Sequence, residues 1–457
     1  MSFDTVIRNG TVVFPHRGEQ RADVCIRDGK IAALLAPGEA VGECGETIDA
    51  TGLHVFPGLI DAHLHFGFAE PVTEYSTETF YAAQGGVTSV ASYFLNSEPY
   101  GELFAKARRE CESRAFVDFA FHFSACTETH LDEMERYVRE YGVTSFKYFM
   151  NFKGEEGRYM GLDGTDDGYF HDLLAASVKA GKPMIVCHTE NIEMVGRIRR
   201  RYQSEGRASF REYCLSKPAI TEAENLVRAA YLAQKTGARI YIPHVSSAMA
   251  IEDARPWRDR YGEVWLETCP HYLTHHMDMD LDSVYKANPP LRTPNDLDAL
   301  WDALADGTID VLASDHVPRK RATKEKPIWQ SSQGFPGTAT VLPVILSEGY
   351  HKGRIGLQRI AQLFSSTPAR LFDMGVGKGD VAVGCDGDLT LVDLEHEHVV
   401  DPAELGSYSD YSPYEGRKLK GWPVRTIVRG ATVMLDHRVV GAAGYGRYLE
   451  RRLPLLA

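Results

Sequence analysis

Two kinds of hydrophobic pattern divide the chain. At the N-terminal end, "FDTVIRNGTVVF", "ADVCIRDGKIAAL" and "ETIDATGLHVFPG" are short β-type runs broken by Asn-Gly, Asp-Gly and Thr-Gly turns. The same style returns after Gly379 in "GDLTLVDL", "VRTIVRGATVML" and "HRVVGAAGYGRYL". These stretches predict one small β-sandwich built from both termini, residues 1–54 and 376–457. Between them, from 55 to 375, extended apolar segments lie at Val55–His65, Val87–Leu95, Phe116–Phe123, Val143–Met150, Pro183–Thr189, Arg239–Ser246, Glu263–Pro270 and Asp310–His316. Helix-like stretches such as "HLDEMERYVREYG" and "EAENLVRAAYLAQKTG" separate them, several ending at a glycine as helix C-termini do. That alternation predicts an α/β chain with a (β/α)8 TIM-type barrel, and a doubly wound open sheet is the alternative on pattern alone.

In such a barrel the active site sits where the strands end. The first predicted strand ends in His63 and His65; residues i and i+2 of a strand face one side, so both imidazoles reach one ion. The fourth ends in "TSFKYFM" with Lys147, the fifth in His188, the sixth in His244 and the eighth in Asp315. Singly, a strand histidine is more often a hydrogen-bonded core residue, and a strand lysine usually snorkels. Together these groups are the ligand set of zinc and related divalent ions. An ammonium beside dications is repelled. Lys147 fits if burial depresses its amine and the amine takes up carbon dioxide, giving a carbamate that bridges two metals. A lysine paired with Asp315 in a one-metal enzyme is the alternative.

Composition narrows the partners. The 457 residues are 44% hydrophobic and 25% charged, with net charge −13 and no basic cluster, which argues against nucleic acid or an anionic membrane surface. No apolar run approaches the ~18 residues of a membrane span, and the N-terminus lacks a signal-peptide pattern. Eight scattered cysteines without a C-x-x-C pair read as reduced thiols of a cytoplasmic protein.

The motifs "PGLIDAHLHF", "GGVTS", "FKYFM", "CHTEN", "HVSS", "ETCPHYL", "NPPLR", "ASDHVP" and "SPYEGRKLKGWPVRTIVRG" run through nearly the whole chain. With them the sequence resembles the cyclic-amidohydrolase branch of the amidohydrolase superfamily, which contains dihydropyrimidinases (hydantoinases), allantoinases and dihydroorotases. The resemblance implies metal ligands at His63, His65, Lys147, His188, His244 and Asp315, with Lys147 as the N6-carboxylated lysine. It implies two divalent ions per subunit (zinc, with manganese, iron or cobalt as alternatives) and a homo-oligomer, tetramer or dimer. It implies a hydrolase acting on a non-peptide C–N bond of a small cyclic amide or ureide. A metal-bridging hydroxide attacks, and Asp315 serves as general base and then acid. Non-catalytic scaffold relatives lack ligands, and here none is missing.

Substrate contacts implied by position are Asn288, Gln333, Gly334 and Phe152, with Phe68 and Phe149 as candidate apolar lining. Hydantoinases carry a tyrosine five residues after the carboxylated lysine; Phe152 stands there and has no donor, so Tyr148, Asn151 or metal alone would have to serve the oxyanion. "HLHFGF" offers no arginine for a substrate carboxylate, unlike dihydroorotases. An allantoinase proper or a cyclic-imide hydrolase is the alternative. Arg292 is expected in a structural ion pair, and "VPRKRATKEKPIW" as a solvated, mobile lid.

Overall fold

The computed structural model describes residues 2–39, 42–67, 69–154, 157, 166–375 and 377–454. Phe68 lies outside them. The chain packs as two compact units, one of Met1–Ser92, Lys106–Ala120 and Pro336–Leu449, the other of Tyr93–Ala105, Phe121–Phe335 and Glu450–Ala457.

The N-terminal turns produce β1 (Phe3–Arg8), β2 (Thr11–Phe14), β3 (Gly18–Arg21), β4 (Asp23–Arg27), β5 (Lys30–Leu35), β6 (Cys44–Asp49) and β7 (His54–Pro57). The parallel strands follow: β8 (Leu59–Leu64), β9 (Val87–Phe94), β10 (Asp118–Ser124), β11 (Ser145–Phe149), β12 (Met184–His188), β13 (Ile240–Ile242), β14 (Val264–Thr268) and β15 (Val311–Leu312). The chain closes with β16 (Leu389–Val399), β17 (Lys418–Val428), β18 (Ala431–Leu435) and β19 (Arg438–Val439).

In the first unit, β5-β4-β1-β6 form a four-stranded sheet and β19-β18-β17-β16-β7-β2-β3 a seven-stranded one. Strand alternation gives each an apolar face. Ile7, Val24, Ile26, Ile31 and Ile48 from the smaller sheet share one core with Val12, Val55, Leu389, Leu391 and Ile427 from the larger. The predicted sandwich from both termini is therefore present.

Strands β8 to β15 pair in sequence order as one eight-stranded parallel sheet with helices between them, the expected (β/α)8 barrel. Local chemistry sets the helices. The helix Asp167–Lys179 is capped by Asp166, whose side chain accepts from the Tyr169 N–H, and it buries Phe170, Leu173 and Leu174. The helix Ile220–Thr236 stops at Gly237, which takes the left-handed conformation with φ 83°. Among the described residues no helix is long and apolar enough to cross a membrane.

One buried ionic cluster ties distant parts of the first unit. Lys378 Nζ donates to Asp118 Oδ2 at 2.6 Å and Asp388 Oδ2 at 2.5 Å, and lies 3.2 Å from Asp386 Oδ2. Burial pulls the ammonium pKa down, but the aspartates outweigh it and hold the pKa above the usual lysine value. Lys378→Met leaves these carboxylates without their shared cation, and we expect a loss of about 3–5 kcal/mol, read as a lowered unfolding midpoint in denaturant.

Candidate active site

Most of the predicted site residues belong to the second unit, where β11 carries Lys147, β12 carries His188 and His244 follows β13. Along β11 alternate side chains take opposite faces. Tyr148 faces the helix layer, stacked on Phe170 with centroids 4.5 Å apart, and its hydroxyl donates to the Asp166 carbonyl at 3.0 Å. It is therefore committed to strand–helix packing, which removes it as a replacement for the missing tyrosine. Lys147 takes the other face and is 1% exposed. Its Nζ stands 4.6 Å from the centre of the Tyr93 ring and 5.2 Å from that of Phe149. Burial lowers its amine to about 8, against a partial opposing pull from Asp315 and Glu267.

At the end of β12, His188 Nδ1 lies 2.9 Å from His244 Nε2. Two imidazole nitrogens aimed at each other at this distance share one proton between them. Burial lowers the His188 pKa, against Glu190, so its ring is neutral near pH 7. His244 has a left-handed backbone with φ 45°, and so does Asp315, with φ 49°. For residues other than glycine such angles are uncommon and collect at functional positions. The His244 N–H donates to Glu267 Oε1 at 3.0 Å, and Glu267 Oε2 accepts from the Tyr241 hydroxyl at 2.7 Å. A fully buried carboxylate thus fixes the strained turn.

Asn288 belongs to a second network. Lys217 Nζ donates to Glu190 Oε1 at 2.5 Å and to Asn288 Oδ1 at 2.7 Å. Asn288 Nδ2 donates to Glu190 Oε2 at 3.2 Å and approaches His188 Nε2 at 3.5 Å. Burial alone would raise the Glu190 pKa, but Lys217 and His188 hold it far below the usual carboxylate range. Arg292 is in the expected ion pair, 3.2 Å from Glu222, which also accepts from both serines of the "HVSS" turn. Sequence reading did not single out Glu190, Lys217, Glu267 or Tyr241. Glu190 and Glu267 each follow an apolar run closely, and a buried carboxylate there was the available signal.

Phe152 is 9% exposed and stacks on Phe149 at 4.2 Å; Phe149 in turn lies 6.1 Å from the His188 ring. Asn151 is buried, with no hydrogen-bond partner for Oδ1 among the described residues. Gln333 is exposed. Gly334 has φ 81°, and a Cβ there would meet Val317 Cγ2 at 2.6 Å, so only glycine fits. The expected mobile lid is instead pinned. Lys324 is fully buried and its Nζ donates to the carbonyls of Lys286, Ser332 and Gly334, at 2.7, 2.8 and 2.8 Å. Lys286 Nζ donates to the Ile328 and Ser331 carbonyls. Main-chain oxygens have taken the Lys324 amine that composition assigned to solvent.

His63 and His65 belong to the first unit. His63 is fully buried, and the two rings stand 5.4 Å apart at 62°. Asp61, two residues before His63, accepts from Thr338 Oγ1 at 2.7 Å.

Removing the hydroxyl that anchors Glu267 tests the turn. Tyr241→Phe breaks a hydrogen bond to a buried carboxylate and is expected to cost about 1.5–3 kcal/mol, measured by denaturant unfolding.

The amidohydrolase family model matches residues 225–433. An allantoinase of Rubrobacter xylanophilus is 36% identical, with 97% of each chain covered. A D-hydantoinase of Geobacillus stearothermophilus is 32% identical over 98% of this chain and 96% of its own. Among solved structures, the dihydropyrimidinase of Brevibacillus agri superposes with a TM-score of 0.90 at 30% identity, covering 98% of this chain and 99% of that one. The L-hydantoinase of Arthrobacter aurescens gives 0.91 at 30%, covering 98% and 100%. The chain belongs to the amidohydrolase family and is a hydrolase.

Proposed function

We propose that this chain opens a ring C–N bond of a small cyclic amide or ureide, with water adding across the bond to leave an acyclic carboxylate. The coarser statement, a cyclic-amide hydrolase of hydantoinase or allantoinase type, rests on relatives that match along the whole chain. The reading names His63, His65, Lys147, His188, His244 and Asp315 as ligands of two divalent ions, zinc being the best fit. The observation that carries it is that His188 closes β12 and His244 follows the adjacent parallel strand β13, with their rings in contact, imidazole donors of the kind divalent ions take. His63, His65 and Asp315 add two imidazoles and a carboxylate to the donor set. Strands β8, β11, β12, β13 and β15 run parallel in one sheet, which supports a shared C-terminal end.

Lys147 becomes a ligand by reacting with carbon dioxide. With its amine at about 8, roughly a tenth is unprotonated at pH 7 and nucleophilic. Nitrogen bonds to carbon, a proton leaves, and the anionic carbamate offers two oxygens. When bound to these residues, divalent ions would lower the pKa of water towards about 7 and would polarise the amide carbonyl. Asp315 accepts the proton of the attacking water and delivers it to the departing ring nitrogen. Asn288, with Nδ2 turned to Glu190 and Oδ1 to Lys217, is held in one orientation for the ring amide. Gln333 and Gly334 face the ring from the pinned loop, and the stacked Phe149 and Phe152 give it an apolar wall. Asn151 is the remaining side-chain candidate for the oxyanion. Because Phe152 brings no hydroxyl, allantoin or a cyclic imide is the second reading for the ring.

We extend the reading to a cytoplasmic homo-oligomer of tetramer or dimer form, with 55–375 as the catalytic barrel and 1–54 plus 376–457 as an accessory β-sandwich. All eight cysteines are free thiols, and Ile220, Tyr231 and Met249 leave large apolar side chains exposed.

The test is ring opening by metal-loaded protein across allantoin, hydantoin, 5-substituted hydantoins, dihydrouracil, dihydroorotate and succinimide, with bound metal measured alongside. We expect turnover of at least one ring other than dihydroorotate, at least two ions per chain, and a loss of about 10³-fold or more with fewer ions in Lys147→Ala. Two ions without any ring opened would sink the substrate class; no metal under metal-replete conditions would sink the ligand assignment.

A further inference from the structure

A group of histidines outside the hydrolytic site remains without a role. Strand β16 reads "LTLVDLEHEHV", and at its far end glutamates and histidines alternate. Glu395 pairs with Lys420 at 2.7 Å and Glu397 with Lys418, so the acidic face is neutralised by the neighbouring strand. His396 and His398 share the other face with rings nearly parallel, 6.1 Å apart. The hairpin between β18 and β19 turns at Asp436 and His437, both left-handed with φ 47° and 63°. That turn carries the His437 ring to 5.4 Å from His396 and 5.1 Å from His398. Buried Trp422 forms the floor, edge-on to His398 and His437.

The nitrogen positions carry the argument. His396 Nε2 and His437 Nε2 stand 3.3 Å apart. An ordinary N–H hydrogen bond closes to about 2.9–3.0 Å. Two nitrogens each about 2.0–2.1 Å from one ion at a tetrahedral angle stand roughly 3.3–3.4 Å apart. The spacing is long for a hydrogen bond and compatible with a chelating pair. The third ring is held one step back, with His398 Nε2 donating to Glu404 Oε2 at 2.9 Å. A carboxylate behind one nitrogen is the arrangement that orients a ligating imidazole and leaves its other nitrogen for the ion. The His398 side chain is 31% exposed, and it would have to turn towards the pair to complete the site. Burial, then His398 and His396, lower the His437 pKa, which favours the lone pair a metal needs.

We propose that His396 and His437 chelate a divalent transition-metal ion, with His398 as third ligand and Glu404 behind it. Imidazole donors select zinc, nickel or copper over magnesium or calcium. The bound ion clamps the β18–β19 hairpin onto β16, at a site separate from the hydrolytic centre.

The experiment is a Zn²⁺ titration of the full chain by equilibrium dialysis, with metal counted per chain, comparing wild type with the double variant H396Q/H437Q. We expect the variant to bind one ion fewer and to lose a Zn²⁺-dependent rise in Tm, with kcat within twofold of wild type. H398Q should bind that ion at least 10-fold more weakly. On the unmutated protein, Zn²⁺ should protect His396 and His437 from carbethoxylation, read by peptide mass spectrometry. Equal stoichiometry in wild type and variant, saturation only at millimolar Zn²⁺, or no protection of these two rings would each overturn the proposal.

Discussion

Taking an ionisable side chain out of water costs several kcal/mol unless a partner compensates, and the chemistry of this chain depends on how each such group is compensated. Lys378 is given three aspartates and stays charged. Glu190 is given Lys217 and Asn288 and stays ionised. Glu222 is given Arg292 and two serines. Lys147 is different: its Nζ stands over the Tyr93 and Phe149 rings, and burial lowers its amine to about 8 against a partial pull from Asp315 and Glu267. A lysine left in that condition is chemically available where the others are not. The same physics that keeps the paired groups charged lowers the Lys147 amine.

That distinction explains what could be read from the sequence. Extended apolar segments alternating with helix-like stretches, glycine-terminated helices and two end regions rich in hairpin turns sufficed for the barrel and the sandwich, because each is a local signal repeated many times. The strand-end histidines, Lys147 and Asp315 were legible because polar residues closing apolar runs are conspicuous. The supporting shell was not, because its partners are far apart in sequence: Lys217 lies 27 residues from Glu190 and 71 from Asn288. Charge composition alone misread the segment around Lys324, since nothing local shows that three main-chain carbonyls will receive its ammonium. For the same reason His396 and His398 are visible as a spacing, whereas His437 joins them only through a hairpin turn.

The backbone shows where geometry was favoured over ease of folding. Asn9, Asp28, Asp373, Arg429, Asp436 and His437 take positive φ in turns or bends, where such angles cost little. His244 takes it in a bend two residues beyond β13, and Asp315 three residues beyond β15. A left-handed non-glycine residue costs about 1–3 kcal/mol and persists only when the surroundings over-determine it. At His244 those surroundings are on view: the N–H is held by Glu267, and Glu267 is held by Tyr241. Glycine would relieve the strain but could not present an imidazole nitrogen 2.9 Å from His188. A fully buried carboxylate is therefore spent on holding one peptide N–H. That expenditure makes sense if the direction of the His244 ring, rather than the stability of the strand end, is what the turn is built to secure.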